Sequence, residues 1–275
     1  MENGVLNRDN RGFYALRRTY SDYFRRSSYI LSRTPIIDRI TEYDIKSANT
    51  TMLRRSKLIK EKDLQAIEAL PKHNREVMIG NMIRMDKEIG KVIRKGIIEA
   101  KRQLFQANGV QTDEIQAIRS DAVFIIGRRL HVTEFGPVLF REHQYSMYMK
   151  LNGIEFYYDR QNKAVAVKGI RDEIVEGEDY QNGILKFIMT VMELLCRDRR
   201  DALRKYLIDF NEAYKTKRLP ICYYREMSNL DAYRTNMDIG VLSYSLTMPT
   251  EEDLPSINGV YNYNRFVLPI IQQYL

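Results

Sequence analysis

The sequence predicts an α+β protein, and three observations carry that prediction. Short apolar runs bounded by turn residues recur between residues 36 and 168, as strands do. The stretches 53–106 and 182–217 instead repeat their apolar residues every three or four positions, as amphipathic helices do. One run, "IQAIRSDAVFII", carries two apolar segments on either side of Arg119, Ser120 and Asp121, the pattern of an antiparallel hairpin with a polar tip.

Taken in order, residues 1–35 interleave Arg8, Arg11, Arg17, Arg18, Arg25, Arg26 and Arg33 with Phe13, Tyr14, Tyr20, Tyr23, Phe24 and Tyr29. Cations for a phosphate backbone and rings for stacking are what a nucleic-acid surface uses, although a helix resting its rings on a core has the same composition. Ile36 to Ile45 reads as a strand, and Asp44 stands near its end. From Leu53 to Gln106 the pattern is helical, broken at Pro71, with a longer helix expected from about Arg75. Arg84, Lys87, Lys91, Arg94, Lys95 and Lys101 recur at three or four residues and are expected to line an exposed stripe on that helix. Asn108 and Gly109 stop it.

After the hairpin come strands near 145–150, 154–158 and 164–168, with "LNG" and "DRQNK" as turns. Residues 182–217 are helical, and the Tyr-, Asn- and Pro-rich tail from Leu219 is irregular and ends in an apolar segment. No internal repeat or low-complexity linker is present.

The 275 residues suffice for one large domain or two small ones, and 44% hydrophobic with 29% charged residues is a globular composition. A net charge of +8 favours a polyanionic partner. Cys196 and Cys222 stand far apart, with no second thiol or paired histidine at ligand spacing, so neither a zinc site nor a disulfide framework is indicated, and a reducing cytoplasm fits best. No apolar run approaches the roughly 20 residues a bilayer span needs, so a soluble protein without membrane contact is expected.

Two strands separated by a helical excursion tend to return to one sheet. Paired side by side, they would bring Asp44 and Asp121 close enough to share divalent cations. The chemistry that uses such a layout is nucleotidyl transfer, in which carboxylates hold two Mg²⁺ ions about 3.5–4 Å apart. The competing reading of Asp44 is an N-cap of the helix that follows, and that of Asp121 is an ordinary turn residue.

On these residues the chain resembles the palm core of family B DNA polymerases. "YDIKSANTTML" is similar to the family's first motif, an Asp ending a strand with a Ser three residues on. "IRSDAVFI" is similar to the Asp-Thr-Asp hairpin of the third motif, with Asp121 on the second Asp. "KHNREVMIGNMIR" is loosely similar to the fingers-helix motif, through Lys72 and Gly80. "YMKLNGIEFYYDRQNKAVAVKGI" resembles the Lys- and Tyr-rich strands that grip the primer duplex.

The resemblance covers residues 36–170 and departs from the family in two places. Arg119 stands where the first Asp of the hairpin belongs, and Asn49 stands where an aromatic residue closes over the sugar. What the resemblance implies is a palm-like antiparallel sheet with a basic, fingers-like insertion at 53–107, flanked by the N-terminal segment 1–35 and a helical, thumb-like region with the tail at 171–275. No exonuclease domain is expected.

Asp44 and Asp121 are the implied catalytic and metal residues, holding Mg²⁺ or Mn²⁺. Lys72, Arg84, Lys87, Lys91 and Asn49 are the implied contacts for a nucleoside triphosphate. Arg17, Arg18, Arg25, Arg26, Lys150 and Lys168 are the implied contacts for a primer-template or single strand. A reduced core of this kind suits a phage or mobile element acting in its host's cytoplasm, with a partner protein completing the assembly. The alternative from a different class is a non-catalytic nucleic-acid-binding or assembly protein on a degenerate palm, to which Arg119 points. A third is a structural or regulatory subunit that uses the Tyr-rich tail as an interface.

Overall fold

The alternation in "ITEYDI" sets the first sheet. Tyr43 and Ile45 are buried with the helices, while Glu42 and Asp44 lie half-buried on the opposite face. The computed structural model describes residues 29–30, 34–168, 183–224 and 259–275. The chain divides into two units at Gln144/Tyr145, and residues 34–38 belong to the second. That division differs from the boundaries at 35/36 and 170/171 expected from the sequence.

In the first unit, β1 (Tyr29–Ile30), β2 (Ile40–Ile45), β3 (Ile115–Ile118), β4 (Ala122–Ile126), β5 (Glu134–Phe135) and β6 (Val138–Tyr145) form a sheet in the order β1-β3-β4-β2-β6-β5. Between β2 and β3 lie α1 (Ala48–Ser56), α2 (Glu61–Glu68), α3 (Lys72–Met85) and α4 (Lys87–Asn108). α4 buries Ile89, Ile93, Ile97, Ala100 and Leu104, an i, i+4, i+8 arc that packs with Tyr43, Ile45, Val123 and Ile125 of the sheet and Met52 and Leu53 of α1. Each such fully buried aliphatic side chain contributes about 1.5–3 kcal/mol.

The structure corrects three expectations and adds one strand. β2 begins at Ile40, not Ile36, because Ile36 pairs with Tyr148 in the second unit through two backbone hydrogen bonds of 2.9 Å. The long helix expected from Arg75 is two helices. Asp86 takes an extended conformation and its side chain accepts a 2.8 Å bond from the Glu88 amide, ending α3 and capping α4. That break leaves Arg84 on a different helix from Lys87. β6 was missed because only the start of "VLFREHQY" is apolar, its inward positions being sparse. The end of the tail is helical from 259 to 274, with a π turn at Tyr263–Val267 followed by α7 (Leu268–Tyr274). Residues 1–28 and 225–258, which include Arg17, Arg18, Arg25 and Arg26, lie outside the described residues.

In the second unit, β7 (Met147–Leu151), β8 (Ile154–Asp159) and β9 (Ala164–Lys168) form an antiparallel meander. Asn152 and Gly153 close the first hairpin with φ of 46° and 86°, the left-handed pair a tight two-residue turn requires. α5 (Gly183–Cys196) and α6 (Arg200–Lys215) bury Phe187, Ile188, Val191, Leu207 and Phe210 in a core shared with Met149, Phe156 and Val167 of the sheet. Phe266, Val267 and Ile270 of the C-terminal helix complete that core.

Candidate functional site

The backbones of Asp44 and Asp121 lie beside each other at one end of the first sheet. β2 and β4 pair antiparallel with Asp44 opposite Ala122, and the Ile45 amide donates to the Asp121 carbonyl at 3.1 Å. Adjacent strands about 4.8 Å apart with a rise of about 3.4 Å per residue put the two α-carbons roughly 6 Å apart. Asp44 is a strand residue, three positions before Ser47, which takes the N-cap place of α1 with a left-handed φ of 51°. The N-cap position of α1 is therefore held by Ser47 and not by Asp44.

Asp121 is the second residue of a two-residue loop, closed by a bond from the Arg119 amide to the Ala122 carbonyl at 2.8 Å. It therefore stands off the pleat of β4, and its Oδ1 accepts a 3.0 Å bond from Ser120 Oγ. Both aspartates are half-buried.

Lys101 is the residue that sequence reasoning misplaced. Expected on the exposed stripe, it is only 4% exposed. Its Nζ donates to the carbonyls of Arg119 at 2.8 Å and Ser120 at 3.0 Å. Burial pulls its ammonium down to about 8, and the Asp121 carboxylate acts in the opposite direction. The signal that could have found it is its position, four residues after Ile97 and next to Ala100 on the arc that α4 buries.

The remaining members of the stripe are exposed, Lys87, Lys91, Arg94 and Lys95 on α4 and Arg84 on α3, as is Lys72 at the first position of α3. At about 1.5 Å per residue, Lys95 lies about 9 Å along α4 from Lys101, Lys91 about 15 Å and Lys87 about 21 Å. Arg94 and Lys95, not singled out from sequence as triphosphate contacts, are thus nearer the hairpin tip along the helix than the two lysines that were. Lys91 is held by Glu88 one turn back. Asn49 is half-buried in the first turn of α1, directly after the loop that follows Asp44.

Lys150 and Lys168 belong to the second unit. The strand register aligns Lys150, Glu155 and Lys168 in one cross-strand row, with Glu155 buried and accepting a 3.0 Å bond from Tyr157. The rings of Tyr145 and Tyr148 lie against Tyr157 on the same face, each at 5.1 Å between centroids.

Among the described residues no three of His, Cys, Asp and Glu gather as a closed metal site. Mg²⁺ is commonly held by one or two carboxylates while substrate phosphates and water complete its shell, so the donor chemistry of two aspartates suits it. No described helix is long and apolar enough to cross a membrane.

The family model of the bacteriophage PBS1 gene 130 protein matches residues 20–275. The chain belongs to that family. Its origin is accordingly with bacteriophages, and the matched span takes in both aspartates, the helices between them and the whole of the second unit. No curated protein matches this phage chain.

Proposed function

We propose that the chain is a polymerase-like nucleotidyltransferase, similar in plan to the palm core of family B DNA polymerases, with Asp44 and Asp121 as its metal-holding residues. The observation that carries the reading is the pairing of β2 with β4, which sets the end of one strand beside the loop of a tight hairpin with a helical excursion between them in sequence. Bound Mg²⁺ would make the attacking hydroxyl more acidic and offset the charge of the leaving pyrophosphate. Asn49, at the start of α1, is the residue for the sugar. Its amide fits a ribose hydroxyl better than an aromatic wall does, so ribonucleotides should be accepted.

Lys91 and Lys87, with Arg84 and Lys72 on α3, are the cations for triphosphate or template; Arg94 and Lys95 join them. Lys150 and Lys168 serve the duplex, as do Arg17, Arg18, Arg25 and Arg26. The reaction would take place in the host cytoplasm, with a partner protein completing the assembly.

A second reading, a nucleic-acid-binding or assembly protein on a catalytically silent palm, is favoured by Arg119, a cation where a third carboxylate would otherwise stand. Primer extension separates the two. Wild type, Asp44→Ala and Asp121→Ala are assayed with Mg²⁺ or Mn²⁺ and with deoxy- or ribonucleotides. Incorporation by the wild type alone supports the enzyme. Salt-sensitive binding by all three proteins without incorporation supports the second reading and rejects the first.

A further inference from the structure

We infer that Lys101 is a positioning residue that fixes the tip of the β3–β4 hairpin and so aims Asp121, an inference that rests on the two-aspartate reading above. Three successive carbonyls at the tip are engaged: Arg119 and Ser120 accept from Lys101 Nζ at 2.8 and 3.0 Å, and Asp121 accepts from the Ile45 amide at 3.1 Å. The first two bonds tie the loop to α4 and the third ties it to the strand of Asp44. The loop of Ser120 and Asp121 is thereby held from both sides.

α4 is fit to act as the strut. Its Gly96 lies so close to α1 that an added Cβ would stand 2.6 Å from Met52 Sδ. One helix thus touches the element that follows Asp44 and grips the loop that carries Asp121. A buried ammonium is expensive compared with an apolar side chain of the same volume unless its donors are used. Here they are used on main-chain carbonyls of this one turn. An anchored donor sharpens the direction of its neighbour's carboxylate, much as outer-shell partners orient the ligands of a metal.

The test compares wild type, Lys101→Met and Lys101→Arg by hydrogen–deuterium exchange of peptides covering 117–123 and by Mn²⁺ affinity from water-proton relaxation. Lys101→Met should speed exchange at the tip and weaken Mn²⁺ binding by about tenfold, the lower end of what loss of an outer-shell partner costs. Exchange in β8 of the second unit should be unchanged. Lys101→Arg, which keeps charge and donors, should recover much of both.

Wild-type exchange and Mn²⁺ affinity in Lys101→Met would overturn the inference, as would faster exchange spread evenly over the first unit. If the wild type binds no Mn²⁺, the two-aspartate reading falls by itself, and exchange at the tip still decides whether Lys101 anchors the hairpin. Should Lys101→Met not fold, Lys101→Gln, too short to keep both bonds to the tip, carries the test: faster tip exchange together with weaker Mn²⁺ binding supports the anchor, and wild-type tip exchange overturns it.

Discussion

The close approach of α4 to α1 gives a prediction whose sign differs between two chemically identical substitutions. Gly96 faces Met52, and an alanine Cβ there would stand 2.6 Å from Sδ, 3.1 Å from Cγ and 3.3 Å from Cβ of that side chain. Carbon atoms pack best at about 3.5–4.0 Å, so every one of these contacts is too short. The sulfur could swing aside in an open site, but Met52 is 1% exposed and its own Cβ is fixed to the α1 backbone. Relief therefore requires the two helices to part by a few tenths of an ångström.

Alanine gains about 1 kcal/mol over glycine in a helix interior. Overpacking a filled core costs about 1–3 kcal/mol. Gly96→Ala should thus destabilise the protein by about 1 kcal/mol. Gly80→Ala, in the middle of α3 with nothing within 4 Å of the added atom, should stabilise it by about 1 kcal/mol. Urea unfolding followed by far-ultraviolet circular dichroism measures both, with an expected gap of about 2 kcal/mol. Measured against Met52→Ala alone, which itself costs about 2–5 kcal/mol, the added Gly96→Ala should carry no penalty, since the coupling between the contacting residues is then abolished. Equal stabilisation by the two alanines would refute the reasoning, because propensity alone would then account for both glycines.

Two further expectations follow from single sites. Asn108 ties the end of α4 to the loop before β5: its Oδ1 accepts from the amides of His131 at 2.9 Å and Val132 at 3.0 Å, and its Nδ2 donates to the Val132 carbonyl at 2.8 Å. Asn108→Ala should cost about 1–3 kcal/mol and speed amide exchange at 131 and 132, and unchanged exchange there would contradict the tie. Cys196 has its thiol pushed up to about 11 by burial, the nearby Arg160 acting against that shift. Since the thiolate is the nucleophile, alkylation of Cys196 should be slow at pH 8 and keep rising beyond pH 10; a rate that levels off by pH 9 would count against the burial argument.

How far the sequence disclosed this protein depends on which interactions are local. The hairpin with Asp121 at its tip was legible because apolar runs flank a short polar turn, and that pattern is set within a dozen residues. The return of the Asp44 strand and the Asp121 hairpin to one sheet was legible in outline, since strands on either side of a helical excursion commonly rejoin one sheet.

Lys101 was not legible from residue type, which argues for solvent; only its place on the buried arc argues otherwise, and tertiary packing decided between them. The split at Asp86 was available locally, as an aspartate two residues before a glutamate amide it could cap, but the continuous apolar spacing on both sides concealed it. Ile36 lay beyond any local rule, because its partner Tyr148 is more than a hundred residues away. The same distinction bears on the site. Arg119 and Lys101 meet through the backbone of one turn, and such contacts carry no sequence spacing. A variant that restores a carboxylate at the tip, Arg119→Asp, therefore changes charge while leaving the Lys101 anchor in place, because the lysine binds the carbonyl and not the side chain. If the palm is silent only for want of that charge, Arg119→Asp should gain incorporation in the primer-extension assay; if it gains none while folding normally, the silence lies elsewhere in the chain.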